Sequence, residues 1–246
     1  MKFSIILPAY NEEDHIGESI EQVSRYLDSL ELDYEIIIVD DGSKDETKRQ
    51  ASKYVLDGKI RIFGYDQNMG KGYAIRYGCM HSLGDYVFFM DSDLDIDTLN
   101  LAAYLRSIKD ADLVIASKRH PRSNVDEPLI RRVLSLGLYF LIRLMTGVQV
   151  SDTQTGLKGF RSESLKKILP LLSVKKYAFD IEVLVVAQLL RMKIVELPVK
   201  VHLDASFGVR HIVQMALDLL GITYRLRVKH WYQNNLNNQA TKTFLS

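Results

Sequence analysis

The sequence predicts an α/β domain with a mostly parallel central sheet flanked by helices. Three observations carry this expectation. Apolar runs of strand length at residues 3–7, 34–39 and 86–90 lack polar alternation, as suits strands covered on both faces. Stretches with apolar residues at helical spacing separate these runs, so the connections are too long for hairpins and read as right-handed βαβ units. Polar loops at 8–12, 40–43, 68–72 and 91–95 follow the runs, at the carboxyl ends where ligands bind in such sheets.

In chain order, residues 3–7 form the first strand, which Pro8 is expected to stop. Asn11 caps a helix whose first turn holds Glu12, Glu13 and Asp14, and Ile16, Ile20, Val23 and Leu27 give it one apolar face. A second buried strand at 34–39 ends in Asp40-Asp41-Gly42-Ser43, and a helix follows from Asp45. A strand at 60–65 and a helix at 71–83 lead to the run at 86–90, which ends in Asp91-Ser92-Asp93. Beyond a further strand at 112–117 come a helix at 128–145 with apolar residues on nearly every side, a polar loop at 152–156, and a helix ending near Pro170. A helix opening at 177–182, an edge strand at 194–201 that contains Pro198, and an amphipathic helix at 207–229 complete the chain. The Asn-rich stretch 233–246 is expected to be a disordered tail.

The chain has 246 residues, and its hydrophobic (47%) and charged (26%) fractions are ordinary for a globular protein. Cys79 is the one cysteine, which excludes an intramolecular disulfide and a cysteine-based zinc site and suggests a reducing compartment. No window reads as a signal peptide or as an apolar span of ~20 residues. Net charge is +1, yet it is unevenly spread. Residues 1–117 hold 12 Lys and Arg against 22 Asp and Glu, a net −10, and residues 118–246 hold 20 against 9, a net +11. An acidic part suits a metal, and a basic part suits an anionic partner: phosphate, anionic lipid or nucleic acid. Nucleic acid fits poorly, since the basic residues are interleaved with long aliphatic runs and no Gly/aromatic recognition motif is present.

Residues i and i+2 of an extended segment point the same way, so a turn after Met90 can aim Asp91 and Asp93 at one divalent cation. The same aspartates can also cap a helix or solvate a turn. They have companions in a fixed order: Leu7-Pro8-Ala9-Tyr10-Asn11-Glu12, Val39-Asp40-Asp41-Gly42-Ser43, Asn68-x-Gly70-Lys71-Gly72, Asp152-Thr153-Gln154-Thr155-Gly156 and Phe179-Asp180-Ile181-Glu182. This set resembles the family 2 glycosyltransferases, and within them the polyprenyl-phosphate branch of dolichyl-phosphate glucosyltransferases and their mannosyl relatives.

The resemblance implies a GT-A-type nucleotide-sugar-binding fold, with a donor half at 1–117 and an acceptor-binding, membrane-facing half at 118–232 of one catalytic domain. It implies an inverting transfer of a hexose from a nucleotide diphosphate sugar, UDP-glucose favoured, to polyprenyl or dolichyl phosphate. Pro8, Ala9, Tyr10, Glu12, Asp40, Asn68, Lys71, Asp91 and Ser92 would bind the donor, with Gly70 and Gly72 letting backbone approach a phosphate. Asp91 and Asp93 would hold Mg²⁺ or Mn²⁺ on the diphosphate. Lys118, Arg119, Arg131, Arg132, Gln154 and Arg210 would meet the acceptor phosphate. Two departures from the family pattern stand out: Lys118 lies where relatives often carry Arg, and Ala205-Ser206-Phe207 replaces Gly-Ser-Lys, leaving Arg210 to supply the cation. Asp93, Asp180 and Glu182 would be catalytic, although the last two also suit a helix N-terminus. GDP-mannose or UDP-GlcNAc as donor, a different glycan acceptor, and a non-enzymatic nucleotide binder stay open.

The helix at 128–145 and the aromatic and basic end of the last helix, Trp231 and Tyr232 beside Arg225, Arg227 and Lys229, are expected to meet the cytoplasmic face of a membrane peripherally, or to pack on each other or on a second subunit.

Overall fold

The computed structural model of the protein describes residues 1–55, 58–91, 101–202 and 209–244. The strands β1 (Lys2–Ala9), β2 (Asp33–Asp40), β3 (Ile60–Gly64), β4 (Tyr86–Phe89), β5 (Leu113–Ser117), β7 (Lys158–Arg161) and β8 (Ile194–Pro198) form one seven-stranded sheet in the order β3-β2-β1-β4-β7-β5-β8. β6 (Asn124–Asp126) and β9 (Lys200–His202) form a separate parallel pair. The residues on the two faces of β1, β2 and β4 enter two separate apolar clusters: Ile6, Ile37 and Phe89 in one, and Ile5, Ile36 and Phe88 in the other. That two-sided burial is why these strands read as apolar runs without alternation, the polar Ser4 and Glu35 bonding each other where they interrupt β1 and β2.

The helices are α1 (Ile16–Ser29), α2 (Thr47–Ser52), α3 (Lys71–His81), α4 (Leu101–Ser107), α5 (Leu129–Thr146), α6 (Ser162–Ile168), α7 (Phe179–Leu189), α8 (Val209–Thr223) and α9 (Trp231–Phe244), with a π turn at Tyr224–Val228. Ile16, Ile20, Val23 and Leu27 are the buried stripe of α1, as their spacing requires. All nine residues from Phe179 to Ala187 of α7 are buried, so this helix runs through the interior.

Several expectations need correction. The sheet is mostly parallel, as expected, but β7, a strand the sequence does not predict, runs antiparallel to both β4 and β5 and separates them. β7 has only four residues, with Lys158 and Arg161 at its ends, and such a segment carries no strand pattern. Pro8 does not stop β1. The ladder of β1 with β4 ends at Ile6, while that with β2 continues through Pro8 and Ala9, so the missing N–H of Pro8 falls beyond the β4 ladder. Asn11 does not cap α1, which begins at Ile16. Asn11 has φ 55° and its amide oxygen accepts from the Lys44 N–H, fastening the loop after β2. The stretch expected as a disordered tail is helical through Phe244. Edge placement of β8 agrees with the reading of Pro198.

Candidate active site

The strand order reverses between β1 and β4: β2 and β3 lie on one side of β1, and β4 on the other. A crevice at the carboxyl ends of β1 and β4 follows from that reversal. Ala9 pairs with Asp40 in register, and the Asp41 N–H donates to the Ala9 carbonyl at 2.8 Å. Tyr10 stands exposed beyond them and Pro8 is half-buried. Asp40 is buried, and its carboxylate accepts from the Ser43 N–H at 3.0 Å. Glu12 is held by its backbone, whose N–H donates to the Thr47 hydroxyl at 2.7 Å. Asn68 is exposed in the loop before α3.

Asp41, a residue to which the sequence alone assigns no separate role, organises that loop. Both of its oxygens accept backbone donors, Met69 N–H at 2.7 Å and Gly70 N–H at 2.8 Å. Lys71 then begins α3, and its ammonium pairs with the Asp91 carboxylate at the end of β4. The glycines do a different job from the one expected. Gly70, at φ +99°, leaves room for the Lys175 carbonyl, which would stand 2.6 Å from a Cβ there, and a Cβ on Gly72 would meet Phe179. These two positions let residues 175–179 approach α3, and no phosphate is needed to explain them. Ser92 and Asp93 lie outside the described residues.

Across Asp91 lies the loop that connects α5 to β7. A Cβ on Gly156 would overlap the Asp91 carboxylate, so only glycine lets the loop pass there. Four residues earlier, buried Asp152 gathers the Lys118 N–H at 2.9 Å, the Lys118 ammonium at 3.1 Å, the Thr155 hydroxyl at 2.6 Å and the Gln154 N–H at 3.0 Å. Burial alone would raise the Asp152 pKa, but Lys118 and these hydrogen bonds outweigh it and hold the carboxyl well below the usual range. Glu196 on β8 fastens the preceding residue, accepting from the Ser151 N–H at 3.0 Å and from its hydroxyl, while Ser151 also bonds Ser117 at 2.6 Å.

A carboxylate whose pKa falls on folding adds stability that is complete above its unfolded value, ~3.9, and is lost as the pH drops through the folded value. Asp152→Asn should therefore flatten the acid limb of a stability profile below about pH 4. Urea midpoints from pH 7 down to the acid limb check this. An unchanged limb would mean that other carboxylates set acid stability.

Lys118, Arg119 and Arg132 meet at one cleft of about 580 Å³, together with His120, Ser123, Asn124, Glu127 and Leu136. Arg119 is fixed by the Ser151 and Ser135 carbonyls, at 3.1 and 2.9 Å, and lies over the Tyr139 ring at 4.5 Å. Arg131 is not on the cleft wall. Gln154 points its amide at Met215 of α8, 2.9 Å from the sulfur. Arg210 lies on α8, and its side chain is outside the described residues.

The acidic pair on α7 is consumed inside the protein. Asp180 bonds the buried Lys158 ammonium at 2.6 Å, and that ammonium also donates to the Thr155 carbonyl at 2.7 Å. Glu182, fully buried, accepts from Ser173 N–H and hydroxyl, Val174 N–H, the Tyr232 hydroxyl and Arg225. A carboxylate with five donors and no exposure holds structure and has no lone pair left for an acceptor. Tyr232 likewise leaves the expected headgroup position, being buried against Glu182. The signal for Lys158 was a lysine between Leu157 and Phe160, both buried.

Residues 4–169 match the family model described as glycosyl transferase family 2. The dolichyl-phosphate beta-glucosyltransferase ALG5A of Trichomonas vaginalis is 35% identical over 244 residues, covering 93% of this chain and 75% of the relative. The human dolichyl-phosphate beta-glucosyltransferase is 30% identical over 250 residues, covering 94% and 77%. Among solved structures, glucosyl-3-phosphoglycerate synthase from Mycobacterium tuberculosis in complex with UDP superposes with a TM-score of 0.69 at 22% identity, over 91% of this chain and 79% of that one. The same synthase, with Mn²⁺, UDP and glucosyl-3-phosphoglycerate bound, gives 0.69 at 21% identity, over 91% and 78%. The matched region takes in the crevice at Asp91 as well as the loop at Asp152, and on that breadth the chain belongs to glycosyl transferase family 2 and is a glycosyltransferase.

Proposed function

We propose that the protein transfers glucose from UDP-glucose to a polyprenyl or dolichyl phosphate, with inversion, giving a lipid-linked monophosphate sugar. One observation carries this reading: a single loop, 152–156, fixes Lys118 at the basic cleft through Asp152 and touches Asp91 at the crevice through Gly156. Donor and acceptor anions would thus be held on either side of one rigid connection. The donor would lie over Pro8, Ala9 and Tyr10, with Asp40 receiving base or ribose donors and Lys71 near the diphosphate.

The acceptor phosphate is already an anionic nucleophile near neutral pH, so orientation and charge neutralisation suffice and no protein base is required. Its oxygen attacks the anomeric carbon as the bond to the diphosphate breaks, and the nucleoside diphosphate leaves from the opposite face. Arg119 and Arg132 would orient that phosphate, and Lys118 shares its charge with Asp152. Asp91, an oxygen donor at a strand end, suits Mg²⁺ or Mn²⁺ together with Asp93 and the diphosphate. When bound, the ion would neutralise charge developing on the leaving diphosphate.

The lipid tail would run along α5 and α8. Among the described residues no helix is long and apolar enough to cross a membrane, yet Leu129, Ile130, Val133, Leu134, Phe140 and Leu144 of α5 are each more than half exposed, as are Val213, Leu217 and Leu220 of α8. Such an apolar face suits reversible docking on the cytoplasmic leaflet.

Transfer of radiolabelled glucose from UDP-glucose to organic-extractable lipid, in the presence of polyprenyl phosphate and Mn²⁺, tests the reaction. Arg132→Ala should raise the acceptor KM and leave the donor KM nearly unchanged. Label that stays in the aqueous phase, or moves only from GDP-mannose, would discard the proposed substrates. Flotation with anionic liposomes tests the surface: Leu134→Glu with Phe140→Glu should abolish co-flotation, and a wild type that stays at the bottom at every salt concentration would refute docking.

A further inference from the structure

The π turn and α9 are tied to the domain by one buried carboxylate. Glu182 accepts from the Tyr232 hydroxyl at 2.6 Å and from Arg225 at 3.3 Å, and Arg225 also donates to the Tyr232 oxygen at 3.2 Å. The same carboxylate holds the segment before α7, accepting from Ser173 N–H at 2.8 Å and Val174 N–H at 2.7 Å on its other oxygen and from the Ser173 hydroxyl at 2.7 Å on the oxygen that Tyr232 and Arg225 share. That segment does not end in solvent. The Lys175 carbonyl accepts the Tyr73 N–H at 3.0 Å, the Leu172 carbonyl accepts Arg76 at 3.0 Å, and Gly70 leaves space for Lys175. The first turn of α3 is therefore held from both ends, by Asp41 at Met69 and Gly70 and by residues 172–175 at Tyr73 and Arg76. Lys71, between these two anchors, carries the cation that pairs with Asp91.

We propose that Glu182 and Tyr232 are positioning residues for Lys71, so that the C-terminal helices set donor affinity through residues 173–175 and the first turn of α3. The inference rests on the donor reading of Lys71 and Asp91 given above. Its physical basis is a path of hydrogen bonds joined by the short backbone segments 173–175 and 71–73, with Glu182 fully buried at its start, the kind of path by which a displacement at one end is passed on and not absorbed by side-chain motion. The same path gives an occupant of the α8 and α9 side a means of strengthening or weakening donor binding.

Titration of the full chain with UDP and Mn²⁺ in a double-mutant cycle tests the coupling. Tyr232→Phe removes one hydroxyl and should weaken UDP binding ~5-fold or more, raising the donor KM while leaving the acceptor KM in place. In a Lys71→Ala background the same change should cost essentially nothing further. Ser173→Ala, which deletes a single donor to Glu182 and little else, should act in the same direction and guards against a Tyr232 variant that folds badly. Faster amide exchange at residues 70–73 in either variant is the expected structural signature. Equal weakening with and without Lys71, or unchanged UDP binding in both Tyr232→Phe and Ser173→Ala, would overturn the coupling. A wild type that binds no UDP with Mn²⁺ would overturn the donor reading itself, and the inference with it.

Discussion

Asp91→Asn is expected to lower glucosyl transfer on the order of 10²-fold or more, the scale seen when one charge-stabilising group is removed from a reacting centre, with little change in melting temperature. The two halves of this expectation come from different features. Asp91 and its partner Lys71 each retain 27% side-chain exposure, and ion pairs so placed contribute only ~0–1 kcal/mol to stability. Its position is what matters for activity: it stands at the end of β4, beside the strand-order reversal, with Lys71 on one side and Gly156 on the other. The isosteric amide keeps the contact with Gly156 and loses the charge. Asp93→Asn, two residues on, should behave alike on the metal reading, and excess EDTA should reproduce both losses in the wild type. Turnover close to wild type in either variant, or in EDTA, would reduce Asp91 to a structural partner of Lys71.

The β1, β2 and β4 region and its loops were legible in the sequence because their physics is local. A strand buried on both faces writes a mainly apolar run without alternation, and the loop at its carboxyl end can be read directly; β1, β2 and β4 all show this. What failed was anything set by partners distant in sequence. β7 is a strand because β4 and β5 flank it, and nothing in Lys-Gly-Phe-Arg announces that. Asn11 has the composition of a cap, but Lys44, 33 residues away, takes its side-chain oxygen. Tyr232 and Arg225 have the composition of a headgroup belt, but Glu182 draws both inward. The cations Lys118, Arg119 and Arg132 do converge on one cleft, whereas the motif that opens at Asp152 does not tell that its first residue sets where Lys118 points.

The largest stability effect is expected at the pair formed by Lys158 and Asp180. Lys158 is 1% exposed, within a four-residue strand in the middle of the sheet, and its ammonium has two short partners, the Asp180 carboxylate at 2.6 Å and the Thr155 carbonyl at 2.7 Å. Asp180 sits in the first turn of α7, where the helix dipole adds to the favourable field on a negative charge. Asp180→Asn would leave a buried ammonium with no counter-charge, a change that costs ~3–5 kcal/mol, against a total stability of ~5–15 kcal/mol for a typical domain. Replacing both members by apolar residues, Lys158→Met with Asp180→Leu, removes the stranded charge and should recover much of that loss, because the interior then pays no desolvation for either ion. Urea unfolding at neutral pH separates these cases. The double variant should nonetheless transfer glucose poorly, since the Thr155 carbonyl loses its donor and Gly156, which lies on Asp91, is no longer held in register. An Asp180→Asn protein as stable as wild type but inactive would return Asp180 to the chemistry itself, as a group acting on the acceptor, and would remove it from the framework that holds the 152–156 loop.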